Sequence, residues 1–489
     1  MGQPSDEEVI VIEQTVPASQ ETLEADYTEA VVPAHARRSN FRILMTFLSM
    51  QVVFGAVLVG YGARLGGLTL GELMIAMALA ATVMTVYCIG SANVGAVAGQ
   101  THAVTTRNVF GTVGSWLVSL LLVIDGMGFY LFTVLFIVTI AEALFGTLPA
   151  VAFLTAALAF VMIVNNYFGF TGLQRFAQYV AVPVIILWGV YATIKAFTSV
   201  PGDVLAQVSH SGPPQTLLLA TGAMVGLSTW GNEPDIFRYS KPGAASWWNI
   251  PTLAVSYFLG AFIFPIMGYF VAALSNDPDT AGAIKYFANF SVFGLAPVMM
   301  LVLLVNQWAI QDGNLYIAIN GAQNLLSRIP GWRREFTVIG LGLVAAVLTF
   351  ILPNLQTTFN IVTGIGSVTV PTASTIMAID IFVVPRLFGL RRPLHRVANW
   401  NELAVANWPA IVALVAGTLV GGFCAGLIPI LPGFGATYIG FPALQAWLTG
   451  AIVYLIIVAL VARNPQAREI LGYARIDDPE PMVAAPSAA

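Results

Sequence analysis

Gly226-Leu227-Ser228-Thr229-Trp230-Gly231-Asn232-Glu233-Pro234-Asp235 closes an otherwise apolar run that begins near residue 215. Glycine weakens a helix, and proline removes a backbone hydrogen bond and clashes with the preceding turn, so a helix through this run is predicted to break here. Five apolar runs earlier, the stretch from Phe54 to Gly62 carries a second interruption, with Gly55 near the middle of its run. Glycine is also a common packing residue between membrane helices, which is the plainer account of Gly55 taken alone. Unwound backbone at membrane depth persists only where it lines a cavity or packs in protein. Two interruptions in corresponding positions of two halves therefore mark a site between them.

The rest of the chain supplies the membrane. Of 489 residues 57% are hydrophobic and only 9% charged, against about 25% charged in soluble domains. Hydropathy, punctuated by Gly, Pro and charge, divides the chain into twelve spans near 42–63, 70–98, 113–143, 149–166, 176–198, 215–233, 250–274, 287–319, 336–352, 357–385, 407–430 and 441–462. With the N-terminus inside, only Arg64, Lys195 and Lys285 fall outside, and the other seventeen Lys and Arg fall inside. That bias is what the positive-inside rule requires, so both termini are predicted to be cytoplasmic. The expected fold is an all-α polytopic membrane protein of twelve transmembrane helices. Five plus five inverted spans (about 42–198 and 215–385) form the repeats, and two extra helices (about 407–462) follow. Residues 1–34 hold eight acids and no Lys or Arg, a composition expected to be a disordered tail; residues 464–489 form a second tail, and 35–463 the membrane domain.

Polar groups at membrane depth are costly and mark function by default. Asp125, Phe129 and Thr133 recur at i, i+4 and i+8, so one helical face presents an acid, a ring and a hydroxyl. Such a face suits stacking and hydrogen bonding of a planar ligand; pairing of Asp125 with a neighbouring helix is the structural alternative. In the eighth span Gln307, Gln311 and Asn314 share one face, and Asn306, Ala309 and Gly313 another. Their amides carry both donors and acceptors. Asp235 and Arg238, three apart at the end of span 6, are expected to form a local ion pair with a gating or structural role, and Asp380 to join the same rim.

The exclusions are equally direct. His35, His102, His210 and His395 lie in loops or at span ends, and no HisGluXXHis metal motif, phosphate-cradling glycine loop or GlyXSerXGly occurs. No basic patch points to nucleic acid. Cys88 and Cys424 sit in apolar segments and cannot make a disulfide framework. A channel needs a continuous polar pore, whereas these polar positions converge on one level; a membrane enzyme needs clustered acids or paired histidines at the bilayer rim.

With these segments placed, the sequence resembles the nucleobase–cation symporter-1 family, particularly its cytosine permease branch, over roughly residues 35–460. His35-Ala36-Arg37-Arg38, Gly99 with Arg107, Phe110 and Gly111, Ala181-Val182-Pro183-Val184-Ile185, Pro234-Asp235-Ile236-Phe237-Arg238-Tyr239, the run Asn306 to Tyr316, Pro371 with Asp380, and Asn407-Trp408-Pro409-Ala410 follow the family's order and spacing. The resemblance implies a LeuT-type inverted-repeat fold that works as a monomer. It implies import of nucleobases, hydantoins, allantoin or related compounds with Na⁺ or H⁺, and no cofactor. By position, Phe129 stands where members stack the ligand on Trp, and Gly126, beside Asp125, where cytosine permeases have a Gln that bonds it. Gly226 stands at the second stacking aromatic, with Trp230 one turn later as its replacement. Gln311 lies where an Asn contacts the base, and Ser228 where a serine lies close to it. For Na⁺, the resemblance implies a carbonyl from Gly55, an amide oxygen from Asn306, and two hydroxyl residues whose positions hold Ala309 and Ile310. Neither offers a side-chain oxygen, so proton coupling through Asp125 is expected over sodium.

Overall fold

The computed structural model describes residues 26–229, 231, 233–241, 245–275, 285–394, 396–428 and 439–473. Trp230, His395 and most of both tails (residues 1–25 and 474–489) lie outside the described residues. Secondary structure among them is helical throughout. The principal helices, numbered in chain order, are α1a (Asn40–Gln51) and α1b (Phe54–Leu65), α2 (Leu70–Ala98), α3 (His102–Phe145), α4 (Val151–Tyr167), α5 (Gly169–Ser199), α6a (Thr216–Ser228) and α6b (Glu233–Phe237), α7 (Trp247–Ser275), α8 (Ala296–Leu326), α9 (Arg334–Ile351), α10 (Ile361–Phe388), α11 (Trp408–Cys424) and α12 (Pro442–Val461). Seven of these (α2, α3, α5, α7, α9, α10 and α12) are long and apolar enough to cross a membrane. The pair α1a and α1b, bent by 45°, makes an eighth when counted as one span.

Local chemistry sets several ends. Thr69 and Glu72 close a reciprocal capping box at the start of α2, and Gly99, left-handed at φ 63°, stops it. α3 begins eleven residues before the expected 113, capped by Thr101. Gly111 (φ 72°, ψ −174°) interrupts it. The loop ahead of α11 satisfies the freed groups: Thr112 N donates to Ala404 O, Val113 N to Val405 O, and Asn407 N to Phe110 O. α8 starts later than the expected 287, because Phe293 and Gly294 take positive φ and Pro297 sits in the first turn.

α8 is too polar to face lipid, and its Asn306, Gln307, Gln311, Asp312, Asn314, Asn320 and Asn324 are all buried. It packs along α3 more extensively than any other helix pair. Glycines allow the close approach: a side chain at Gly126 would strike Asn314 O and Ala318, and one at Gly321 would strike Ser119 O. α4 braces the far side of α8, where Asn165 and Asn166 donate to Asp312.

The expectation of a disordered tail through residue 34 is corrected. Asp26 is 6% exposed. Its Oδ1 accepts from Tyr316 OH at 2.7 Å, Tyr239 OH at 2.9 Å and Phe170 N at 3.2 Å. Arg334 Nε lies 3.0 Å from its Oδ2, and Glu29 pairs with Arg107 at 2.6 Å. Buried arginines at the helix ends need anions, and these two acids of the tail supply them.

Candidate functional site

Both expected breaks are present, each with its own chemistry. α1a ends at Gln51, and Val52 (ψ 77°) and Val53 (ψ 118°) leave helical geometry. Asn306 of α8 bridges the gap, its Nδ2 donating to Val52 O at 2.6 Å and its Oδ1 accepting from Phe54 N at 3.0 Å. The break thus lies before Gly55, which belongs to the next turn and packs on the Phe132 ring. The second break runs from Thr229 (ψ 82°) through Gly231 (φ 84°) to the start of α6b. His102 Nδ1 lies 2.9 Å from Gly231 O. Asp235 Oδ1 accepts from His102 N at 3.0 Å and Asn320 Nδ2 at 2.9 Å.

The expected Asp235–Arg238 side-chain pair is corrected. Arg238 Nε donates to the main-chain Asp235 O at 3.2 Å, and its other nitrogens donate to Asp26 O, Tyr27 O and Tyr316 OH. The i, i+3 spacing put the two side chains within reach, but a buried guanidinium takes the carbonyls and anion that enclose it. Asp380 pairs with Arg392 at 2.7 Å and accepts from Tyr454.

Between the breaks, α3, α8 and α10 meet. Thr369 Oγ1 of α10 lies 2.9 Å from Asp125 Oδ2. The Phe129 ring rests on Gly366, and Thr133 Oγ1 accepts from Asn314 Nδ2 at 3.4 Å. Gly226 faces the α10 backbone at Thr363 O, leaving no room for a ring there, and Gly126 faces α8. Ala309 and Ile310 sit in the apolar core, 2% and 4% exposed.

The decisive feature is a set of buried polar atoms that no described protein group satisfies: both amide atoms of Gln51, Gln307 and Gln311, the Ser228 hydroxyl and Asn314 Oδ1. An unpaired buried polar group costs about 1–3 kcal/mol. Gln51 and Ser228 end α1a and α6a, and Gln307, Gln311 and Asn314 lie on α8, so the unmet donors and acceptors gather on the two broken helices and the polar one. Gln51 and Thr369 were missed by sequence reasoning. Gln51 had a signal, a lone amide in an apolar run beside a break; Thr369 had none beyond a hydroxyl among several in its helix.

The family described as "Permease for cytosine/purines, uracil, thiamine, allantoin" matches residues 31–427. The cytosine permease of Escherichia coli (strain K12) is 25% identical over 448 residues, covering 90% of this chain and 96% of the relative. Among solved structures, Mhp1, a nucleobase–cation–symport-1 family transporter, closed with bromovinylhydantoin bound, superposes with a TM-score of 0.68 at 16% identity, over 91% of this chain and 98% of its own. A Na⁺-coupled sialic acid symporter in a substrate-bound outward-open state gives 0.64 at 11% identity, over 94% and 95%. Paired broken helices, a polar interior helix and these matches lead to one placement: the chain belongs to the nucleobase–cation symporter-1 family of permeases.

Proposed function

We propose that the protein is a secondary active transporter that imports a nucleobase or a related small planar nitrogen compound (purine, pyrimidine, hydantoin or allantoin-like) together with H⁺ rather than Na⁺. It works as a monomer in the cell membrane with both termini cytoplasmic. Twelve spans, arranged as five plus five inverted and two appended, alternate access around the breaks of α1 and α6. The observation that carries this reading is the unpartnered set of Gln51, Ser228, Gln307 and Gln311; with the Phe129 ring, packed on Gly366 of α10, as a stacking face, amide edges and an aromatic ring suit a flat heteroaromatic solute. Gly226, with its face against α10, supplies no second ring.

Two features support protons over sodium. The Asn306 carbonyl oxygen is engaged by Phe54 N, and Ala309 and Ile310 have no side-chain oxygen to add. Asp125 accommodates either charge state: Thr369 Oγ1 lies within reach of both Asp125 Oδ2 (2.9 Å) and Ile365 O (3.0 Å). Its single hydrogen bonds the carboxylate, or bonds Ile365 while a protonated Asp125 donates to it.

The test is a panel of purines, pyrimidines, hydantoins and allantoin scored by thermal shift of the purified protein, repeated with Asp125→Asn and Gln311→Ala. A selected base that stabilises the parent and not Gln311→Ala is expected. Binding indifferent to both substitutions removes the site, and uptake that follows a sodium gradient irrespective of pH removes the proton coupling.

A further inference from the structure

α6b opens on a second fully buried carboxylate, Glu233, which the mechanism above leaves unused. Cys88 Sγ at 3.3 Å and Tyr257 OH at 3.1 Å donate to its Oε1, and Ser91 Oγ at 3.1 Å donates to its Oε2. Cys88 Sγ and Tyr257 OH are themselves 2.8 Å apart. Among the described residues no Lys, Arg or His is paired with it. The titratable groups that face it are Tyr87 and Cys88 of α2 and Tyr257 of α7. Asp235 and Arg238 follow on its own helix, and His102 of α3 meets the other side, at Gly231 and Asp235. α1a packs on α6b through Phe47 against Phe237, and α10 meets the break through Val370.

The kind of partner separates the two neighbouring acids. Asp235 is held on Oδ1 alone, by a main-chain N–H and an amide N–H, groups that only donate, so neither can take up a proton from it. Apart from its own main-chain N–H, the partners of Glu233 are two hydroxyls and a thiol, which turn to donate or accept. Protonated, Glu233 donates to Ser91 Oγ without displacing any heavy atom. A buried acid with no cation beside it, ringed by reversible partners, is built to change charge.

We propose that Glu233 is a proton-binding site of the transport cycle, taking H⁺ from water as the carboxylate and releasing it as α6b moves against α2 and α7. This rests on the proton-coupled reading of the protein. The competing account is a static knot joining α2, α6b and α7, which a glutamine serves equally well.

Glu233→Gln therefore discriminates. In proteoliposomes with the voltage clamped and the interior one pH unit more alkaline, the parent is expected to accumulate labelled cytosine, or the base the panel selects, by up to about tenfold. E233Q is expected to keep counterflow within about twofold and to fall to near parity in accumulation. Accumulation by E233Q equal to the parent overturns the proposal. A parent that shows counterflow but ignores the pH gradient overturns the proton-coupled reading itself, and this site with it. Infrared pH-difference spectra need no substrate: a titrating carboxyl band present in the parent and absent in E233Q supports the site, and identical spectra overturn it. Should E233Q not fold, Tyr257→Phe decides, because the loss of one partner must move that band's midpoint; an unmoved midpoint overturns the proposal.

Discussion

At the α1 break one neutral amide, that of Asn306, satisfies a carbonyl on one side and an N–H on the other. At the α6 break the backbone turns on a left-handed glycine, and Glu233, Asp235 and His102 crowd the stretch that follows. The helices are interrupted alike, yet one gap is closed by a fixed hydrogen-bond clamp and the other is bordered by groups that carry or exchange charge. The first holds its shape whatever the pH. The second is bordered by titratable side chains.

Substitutions test this contrast, beginning with the largest expected effect. Asn306→Ala leaves Val52 O and Phe54 N without their partner, and the two lost satisfactions are expected to lower stability by about 3 kcal/mol, read as a fall in the unfolding midpoint in detergent. A midpoint like the parent's would mean that something else clamps α1. Gly231→Ala forces a side chain into φ 84° and against Val370, for about 2 kcal/mol. Gly55→Ala meets only the edge of a mobile Phe132 ring and is expected to cost less than about 1 kcal/mol; equal losses at the two glycines would erase the distinction. Gln51→Ala and Gln311→Ala each remove one amide of the proposed site and are expected to weaken binding about tenfold, ~1.4 kcal/mol, in a thermal-shift titration.

The smallest effect belongs to a pair remote from both breaks and serves as the baseline. Arg396 grips both oxygens of Glu402, and Asn399 N adds a third bond, which holds that carboxyl down at about 2. A depressed folded-state pKa stabilises above the unfolded value near 4.5 and is lost as pH falls towards about 2. Glu402→Gln is thus expected to cost under about 1 kcal/mol at pH 7, and the cost to vanish in acid. A pH-dependent loss larger than this at Gln51 or Asn306 would contradict the neutral character of the first break.

Composition and punctuation carried most of the fold. Apolar runs mark membrane-spanning segments, and Gly231 with Pro234 mark a break because glycine frees the backbone to a left-handed turn and proline lacks the N–H that would continue the helix. Partnership is what a linear chain conceals. Asn306 looked like an ion ligand until Val52 and Phe54 were seen to occupy it. Arg238 looked committed to Asp235, three residues away, although its anion is Asp26, more than two hundred residues earlier. Asp26 itself was hidden by the acidic composition around it. Gly126 and Gly226 mark helix contacts as well as missing side chains, and sequence distinguishes the two only when the facing backbone is known.

α7 adds a kinematic constraint. A side chain at Gly260 would strike Gln51 O in α1a, one at Gly268 would strike Val57 O in α1b, and one at Gly60 of α1b would strike Pro265 O. α7 thus lies in backbone contact with both halves of the broken α1 and bridges its bend like a splint. With that contact kept, α1a and α1b turn together and carry α7 with them; to swing alone, one half must first peel away from a glycine seam. Independent motion across α1 therefore requires that seam to open, and α6b meets α2 at a seam of the same kind, where a side chain at Gly95 would strike Pro234 O.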